Sequence, residues 1–356
     1  MTILKNPWRS VGLPKNKNLA EGSICTNPSN AQALFALCPK AAVTPLVMSE
    51  ELSEELGVAS VAIKDERSRM GLGSFKALGA AHAIAKRAHA RMTADPSLTA
   101  GAALSDRTFV CASAGNHGLS LAAGAKAFGA QAVVFIAQSV PEIFKERLED
   151  KGARVVRAGD IYEESMAAAL EAAQENRWDF LPDSTWVGCT EPARDVMEGY
   201  LIMGEEVAAQ IDAPPTHVLL QAGVGGLAAA AAASARRNWG DAPEIIIVEP
   251  EAAPALMESN RAGQFVATTG PVSNMGRLDC KEASHLALKY LAEEADVFVT
   301  ISDAAAQATV DYLSSLGLRS TPSGVAGIAA ARALSSDLGL RSDARLLVYL
   351  SEGPDD

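Results

Sequence analysis

The chain has 356 residues, 48% of them apolar and 21% charged, with a net charge of −12. That length allows two lobes around a large core, and the acidic balance argues against a protein that grips nucleic acid through its phosphates. No apolar run approaches the roughly 18 residues that suggest a membrane span. The opening "MTILKNPWRSVGLPKNKN" lacks the apolar centre of a signal peptide. The cysteines are scattered with no CxxC pair, and the histidines show no HExxH spacing, so neither a disulfide framework nor a metal site is expected. A reducing cytoplasm is the simplest setting for such a chain.

Taken in chain order, "IKDERSRMGLGSFKALGAA" (63–81) begins like a strand and ends like a helix, with Lys76 at the join. From about residue 105 short β-branched runs alternate with helical stretches. "TFVCAS" reads as a strand, followed by a helix through "HGLSLAAGAKAFG"; "QAVVFIA" is the next strand, with a helix from Pro141. "ARVVRAG", "THVLLQAG", "EIIIVEP", "ADVFVTIS" and "ARLLVYLS" continue the series. This alternation predicts parallel βαβ units with right-handed crossovers. Continuous apolar runs suit parallel strands covered on both faces. No linker divides the chain, so the expected lobes share it discontinuously and pack around a cleft. Ligands in such sheets sit beyond the carboxyl ends of the strands.

Several of these strand ends carry chemistry. In "SAGNHG", Gly115 permits close backbone approach, Asn116 offers a donor and an acceptor, and the helix opening can hold a carboxylate. A plain capped turn would look the same. In "QAGVGGLAAAAAA", Gly223, Gly225 and Gly226 precede a helix, as in a phosphate cup. The same turn fits a relaxed dinucleotide fingerprint, with Glu249 where a ribose-binding acid could lie, or simple tight packing. Lys76 sits at a helix start, where a cation is disfavoured. If buried, its pKa should fall, leaving a nucleophilic amine. Asp183 in "DSTW" is a base or a helix cap, and Ser351 in "YLSEG" is a strand-end hydroxyl or a turn serine. One reading joins them: an amine, a phosphate seat, a donor for a ring hydroxyl and a partner for a ring nitrogen are the needs of pyridoxal phosphate. The dinucleotide-dependent oxidoreductase reading uses only the glycine turn and Glu249. A non-catalytic binding protein would have no need of the full set.

With these motifs the sequence resembles the type II, tryptophan-synthase-β-like pyridoxal-phosphate enzymes. Within them it most resembles the diaminopropionate ammonia-lyases, with threonine and serine dehydratases more distant. The likeness runs from about residue 63 to 353, through "IKDERSRMGLGSFK", "SAGNHG", "PDSTW", "DVMEGYLIM", "QAGVGGLAAA", "NMGRLDCKEAS", "TPSGVAGIAA" and "YLSEG". It implies an α/β fold of two open, mostly parallel twisted sheets flanked by helices, with the cofactor in the cleft. The implied lobes are a large one of residues 1–79 and 187–356 and a small one of residues 80–186. By resemblance, Lys76 is the Schiff-base lysine and Asn116 contacts the ring hydroxyl. Gly223, Val224, Gly225, Gly226 and Leu227 form the phosphate loop, and Ser351 lies beside the pyridine nitrogen. Asp183 aligns with a catalytic aspartate of the ammonia-lyases. Ser113, Ala114, Gly115 and His117 belong to the turn that would hold the substrate carboxylate. The ammonia-lyases carry an aspartate where this chain has Ala114, which serves the D-substrate.

The resemblance therefore implies β-elimination of ammonia from 2,3-diaminopropionate, the L-isomer in this case, giving pyruvate and ammonia. The alternative is a serine-, threonine- or hydroxyaspartate-type dehydratase releasing a 2-oxo acid and ammonia. Expected partners are a small amino-acid substrate and a second copy in a homodimer, with no nucleic acid, membrane or metal.

Overall fold

The computed structural model describes residues 1–15 and 18–354. Eleven strands form two sheets among these residues: β1 (Ile3–Lys5), β2 (Leu46–Met48), β3 (Ser60–Asp65), β4 (Thr108–Ala112), β5 (Gln131–Ile136), β6 (Ala153–Arg157), β7 (Asp179–Phe180), β8 (His217–Gln221), β9 (Glu244–Pro250), β10 (Val297–Ile301) and β11 (Arg345–Leu350). The larger sheet runs β1-β10-β9-β8-β11-β3-β2, and the smaller β6-β5-β4-β7. Only the edge strands β1 and β2 pair antiparallel; every other pairing is parallel. The four strands of the smaller sheet all lie between residues 108 and 180.

The expected fold class is what the chain adopts. Central strands are apolar on both sides because both sides are covered: Ile245, Ile246, Ile247 and Val248 of β9 have no exposed surface. One apolar cluster fills the layer between the sheets, where the helices Gly79–Ala94, Asn116–Ala127, Glu191–Gln210 and Gly226–Trp239 lie. A second covers the far side of the large sheet, and a third the far side of the small one.

The helix Gly226–Trp239 is buried along ten consecutive residues, 226–235. Its alanines explain how: small side chains on every face let other helices approach from several directions. The "MEGY" stretch works the same way. A Cβ at Gly199 would lie 2.2 Å from the Leu78 carbonyl oxygen and 2.7 Å from His82 Cβ. Glycine there brings the helix Glu191–Gln210 against the turn that carries Lys76.

The carboxyl ends of β4, β8 and β11 lead directly into the "SAGNHG", "AGVGG" and "SEG" segments, and that of β3 leads into "GSFK" through residues 66–72. The parallel topology is what gathers these four chemically loaded turns in one place.

Candidate active site

Lys76 lies in a single 3-10 turn, Phe75–Leu78, that precedes the helix Gly79–Ala94. Its Nζ donates to Asp183 Oδ2 at 2.6 Å, and it sits 5.4 Å from the Phe75 ring centroid and 5.8 Å from that of Tyr200. Those two rings pack 4.9 Å apart. The amine is thus walled by aromatic faces and tied to one carboxylate.

This pairing corrects one expectation. Burial does penalise the ammonium, but the Asp183 carboxylate, with Tyr200 beside it, outweighs that penalty and holds Lys76 above its ordinary pKa. Burial likewise opposes the Asp183 charge. The Lys76 ammonium, then His117, reverses this and keeps Asp183 well below the usual carboxylate range. Burial pushes the Tyr200 phenol up to about 12, with Lys76 pulling the other way. The free protein therefore stores the amine as a protonated ion pair; a neutral amine requires the proton to leave.

Asp183 caps no helix, since the next one begins at Glu191 behind an N-cap at Thr190. Its segment is anchored through Thr185, two residues on. The fully buried Thr185 exchanges a hydroxyl hydrogen bond of 2.8 Å with Ser284 Oγ, and its N–H donates to the same oxygen. Thr185 Oγ1 accepts from the Leu286 N–H, and the Ser284 N–H donates to the Val224 carbonyl. The segment carrying Asp183 is thereby fastened to the glycine loop.

In that loop, Gly225 has φ +98° and precedes the helix Gly226–Trp239, whose first turn has no side-chain cap. Its opening N–H groups are left for a ligand. A Cβ at Gly223 would sit 3.0 Å from both the Arg277 carbonyl oxygen and Cys280 Sγ, so the loop is pressed against the 277–280 segment. The expected phosphate-loop residues Gly223, Val224, Gly225, Gly226 and Leu227 are thus contiguous at a helix N-terminus.

The turn Ser113, Ala114, Gly115 opens the helix Asn116–Ala127, again without a side-chain cap. His117 is buried, with Nε2 2.8 Å from the Leu181 carbonyl and Nδ1 unpartnered; burial holds it below its ordinary pKa. Ala114 and Gly115 face a cavity of about 520 Å³ whose opposite wall includes Arg277, Thr321 and Ser323. Lys76 and Asp183 lie outside that lining. Asn116 Nδ2 donates to Glu352 Oε2 at 2.8 Å. Ser351 is buried at the end of β11; its carbonyl accepts from the Phe75 N–H, one residue before Lys76.

Residues 38–352 match the family of pyridoxal-phosphate dependent enzymes. The chain belongs to that family. The enzyme is 32% identical over 282 residues to the diaminopropionate ammonia-lyase of Salmonella typhimurium, covering 74% of this chain and 70% of that one. It superposes with a TM-score of 0.86 and 26% identity on a crystal structure of the Escherichia coli diaminopropionate ammonia lyase in complex with D-serine, covering 100% and 94% of the two chains. A human L-serine dehydratase/L-threonine deaminase is 28% identical over 272 residues, 75% of each chain. These likenesses make it a type II pyridoxal-phosphate enzyme and an ammonia-lyase.

The side chains fit that cofactor: a lysine amine at the carboxyl ends of the strands, an uncapped glycine-led helix, and a buried hydroxyl at the end of β11. The dinucleotide alternative loses its acid. Glu249 is fully buried and accepts from the Leu256 and Met257 N–H groups, capping the helix Ala255–Ala262. Burial pushes it up to about 8, which no solvent-facing ribose ligand would show. Sequence reasoning missed Tyr200, Thr185, Cys280 and Glu352 in the enzyme. The stretches "MEGY", "DSTW", "NMGRLDCKEAS" and "SEG" contain all four in plain view, but their partners lie far away in sequence.

Proposed function

We propose that the enzyme removes ammonia from L-2,3-diaminopropionate, giving pyruvate and ammonia. The carrying observation is the Lys76–Asp183 pair, two proton-transfer groups 2.6 Å apart, in a site where position 114 is alanine. Lys76 is the covalent anchor for the cofactor. The Gly223–Leu227 loop seats its phosphate, Asn116 meets the ring hydroxyl and Ser351 the ring nitrogen. When bound, pyridoxal phosphate supplies an electron sink for the pair left behind as the α-proton departs.

The remaining work falls to the protein. Lys76 must shed its proton before it can act as a nucleophile; Asp183, 2.6 Å away, is the acceptor within reach, and it passes that proton on to solvent and returns to its carboxylate form. The N–H groups of the Ser113–His117 turn hold the substrate carboxylate. That fixes which face of the α-carbon meets Asp183. Asp183 then takes the α-proton of the L-isomer, with Lys76 as the alternative acceptor. Ala114 presents no acid on its own side, so a D-isomer finds no base there. The β-ammonium leaves as ammonia, and hydrolysis of the released product gives pyruvate and the second ammonia.

Ala114 and the similarity to the human dehydratase favour a second reading, in which water leaves from a serine-, threonine- or hydroxyaspartate-type substrate. Stoichiometry separates the two: diaminopropionate yields two ammonia per pyruvate, serine one. An ammonia-release screen over L- and D-diaminopropionate, serine, threonine and hydroxyaspartate tests the assignment. Fast turnover of a hydroxy amino acid with none of diaminopropionate would reject the first reading. We further propose a cytoplasmic homodimer, the arrangement read from the sequence.

A further inference from the structure

Glu352 has no place in the cofactor set described above, yet it hydrogen-bonds one member of it, Asn116, and adjoins another, Ser351. Its side chain is only 4% exposed. One oxygen, Oε1, accepts from Arg277 Nη1 at 2.6 Å and from the Thr321 hydroxyl. The other, Oε2, accepts from Asn116 Nδ2. The backbone around it is equally engaged. Residues 351–353 run antiparallel to 73–75: the Phe75 N–H donates to the Ser351 carbonyl, the Gly353 N–H to Gly73, and Ser74 bridges Glu352. Ser320 Oγ donates to the Glu352 carbonyl.

We propose that Glu352 is a positioning residue that fixes the Asn116 amide for the cofactor's ring hydroxyl and locks the two lobes together at that point. The inference rests on the cofactor contacts proposed above. An asparagine amide can present either its oxygen or its nitrogen to a ligand. A carboxylate only accepts, so the Asn116 nitrogen must face Glu352. Arg277 and Thr321 bond Oε1, and Asn116 bonds Oε2. The amide is left with one fixed orientation, offering the ligand its second N–H hydrogen and its oxygen. Asn116 belongs to the small-sheet side and Glu352 to the large. The backbone pairing beside Lys76 then sets the distance between amide and amine.

A double-mutant cycle on pyridoxal phosphate affinity, measured by fluorescence quenching of the cofactor-free protein, tests this. Glu352→Ala should weaken binding about tenfold, as for one lost hydrogen bond to a charged group. Asn116→Ala should do the same, and the double variant should bind no worse than the weaker single. Losses that multiply would overturn the inference. Glu352→Gln keeps an acceptor oxygen and should bind more tightly than Glu352→Ala; equal weakness would also overturn it. If Glu352→Ala does not fold, the cycle is run with Glu352→Gln, again expecting no added loss on top of Asn116→Ala. The pH midpoint of the bound cofactor's absorption band should move in the same direction in Glu352→Ala and Asn116→Ala, and a wild-type midpoint in Glu352→Ala counts against it. Wild-type protein that takes up no cofactor would overturn the cofactor reading and this inference together, whereas multiplying losses in a binding protein overturn this inference alone.

Discussion

Two lysines on neighbouring segments each meet a carboxylate at 2.6 Å, Lys64 with Glu206 and Lys76 with Asp183. Their surroundings differ. Lys64 also donates to the Thr44 carbonyl and to Gln210 Oε1, so all three of its hydrogens are engaged. Its carboxylate partner is gripped by Arg69 through two further bonds, and Arg69 in turn holds Glu66, Thr44 and the Ala42 carbonyl. Lys64, Glu66 and Arg69 have no exposed side-chain surface. Lys76 has one hydrogen-bond acceptor and 21% of its side chain exposed. Burial lowers the Lys64 pKa, while Asp183 raises that of Lys76 despite burial. A search for the lysine easiest to deprotonate would therefore choose Lys64 and not the proposed cofactor anchor, Lys76. On the proposed assignment, reactivity follows from unfilled bonding capacity and access, whereas a depressed pKa in a saturated network marks a structural charge.

This contrast can be broken most severely at Lys76. Lys76→Ala should cost on the order of a thousandfold or more in pyruvate formation. In the wild type, borohydride treatment of the cofactor-loaded enzyme should label Lys76 and leave Lys64 unlabelled in peptide mass spectra. Label on Lys64 would invert the comparison. Asp183→Asn should lower turnover of the L-substrate by about a hundredfold to ten-thousandfold while cofactor still binds; rates near wild type would remove Asp183 from the base role.

Disturbing the saturated cluster should move stability instead. Glu206→Ala leaves Lys64 and Arg69 short of an anion in a buried site. It should reduce unfolding free energy by about 3–5 kcal/mol in denaturant titrations, with turnover per folded molecule little changed. Glu249 is a buried acid outside that cluster, held by two N–H groups. Its folded pKa, about 8, lies above the ordinary carboxylate value. The folded state thus binds the extra proton, and its stabilising contribution is present at low pH and lost as pH rises through about 8. Glu249→Gln should flatten that decline in melting temperature between about pH 5 and 8. The smallest effect is a gain: Ala114→Asp should add slight D-diaminopropionate activity, and none at all would weaken the stereochemical assignment.

The parallel sheets were legible because their strands are long apolar runs set off by small residues. β1, β2 and β7 were not foreseen; at two or three residues each, and at sheet edges, they carry no periodicity to read. The Gly223–Leu227 loop and the Asn116 turn could be read as candidates because their chemistry is local. The Lys76–Asp183 bond spans 107 positions and the Asn116–Glu352 bond 236. No spacing rule reaches that far, so the charge state of Lys76 was misjudged and Glu352 passed over.

The strand order also bears on how the molecule is made. β11 lies between β8 and β3, so the large sheet stays in two pieces until the ribosome delivers the residues 345–350. By then every strand of the small sheet has emerged. Vectorial synthesis should give an early small lobe, followed by late closure of the large one. The residues delivered with that last strand, Ser351 and Glu352, arrive together at the site. If Ser351 meets the cofactor as proposed, a nascent chain has no complete seat for it until the large sheet has closed.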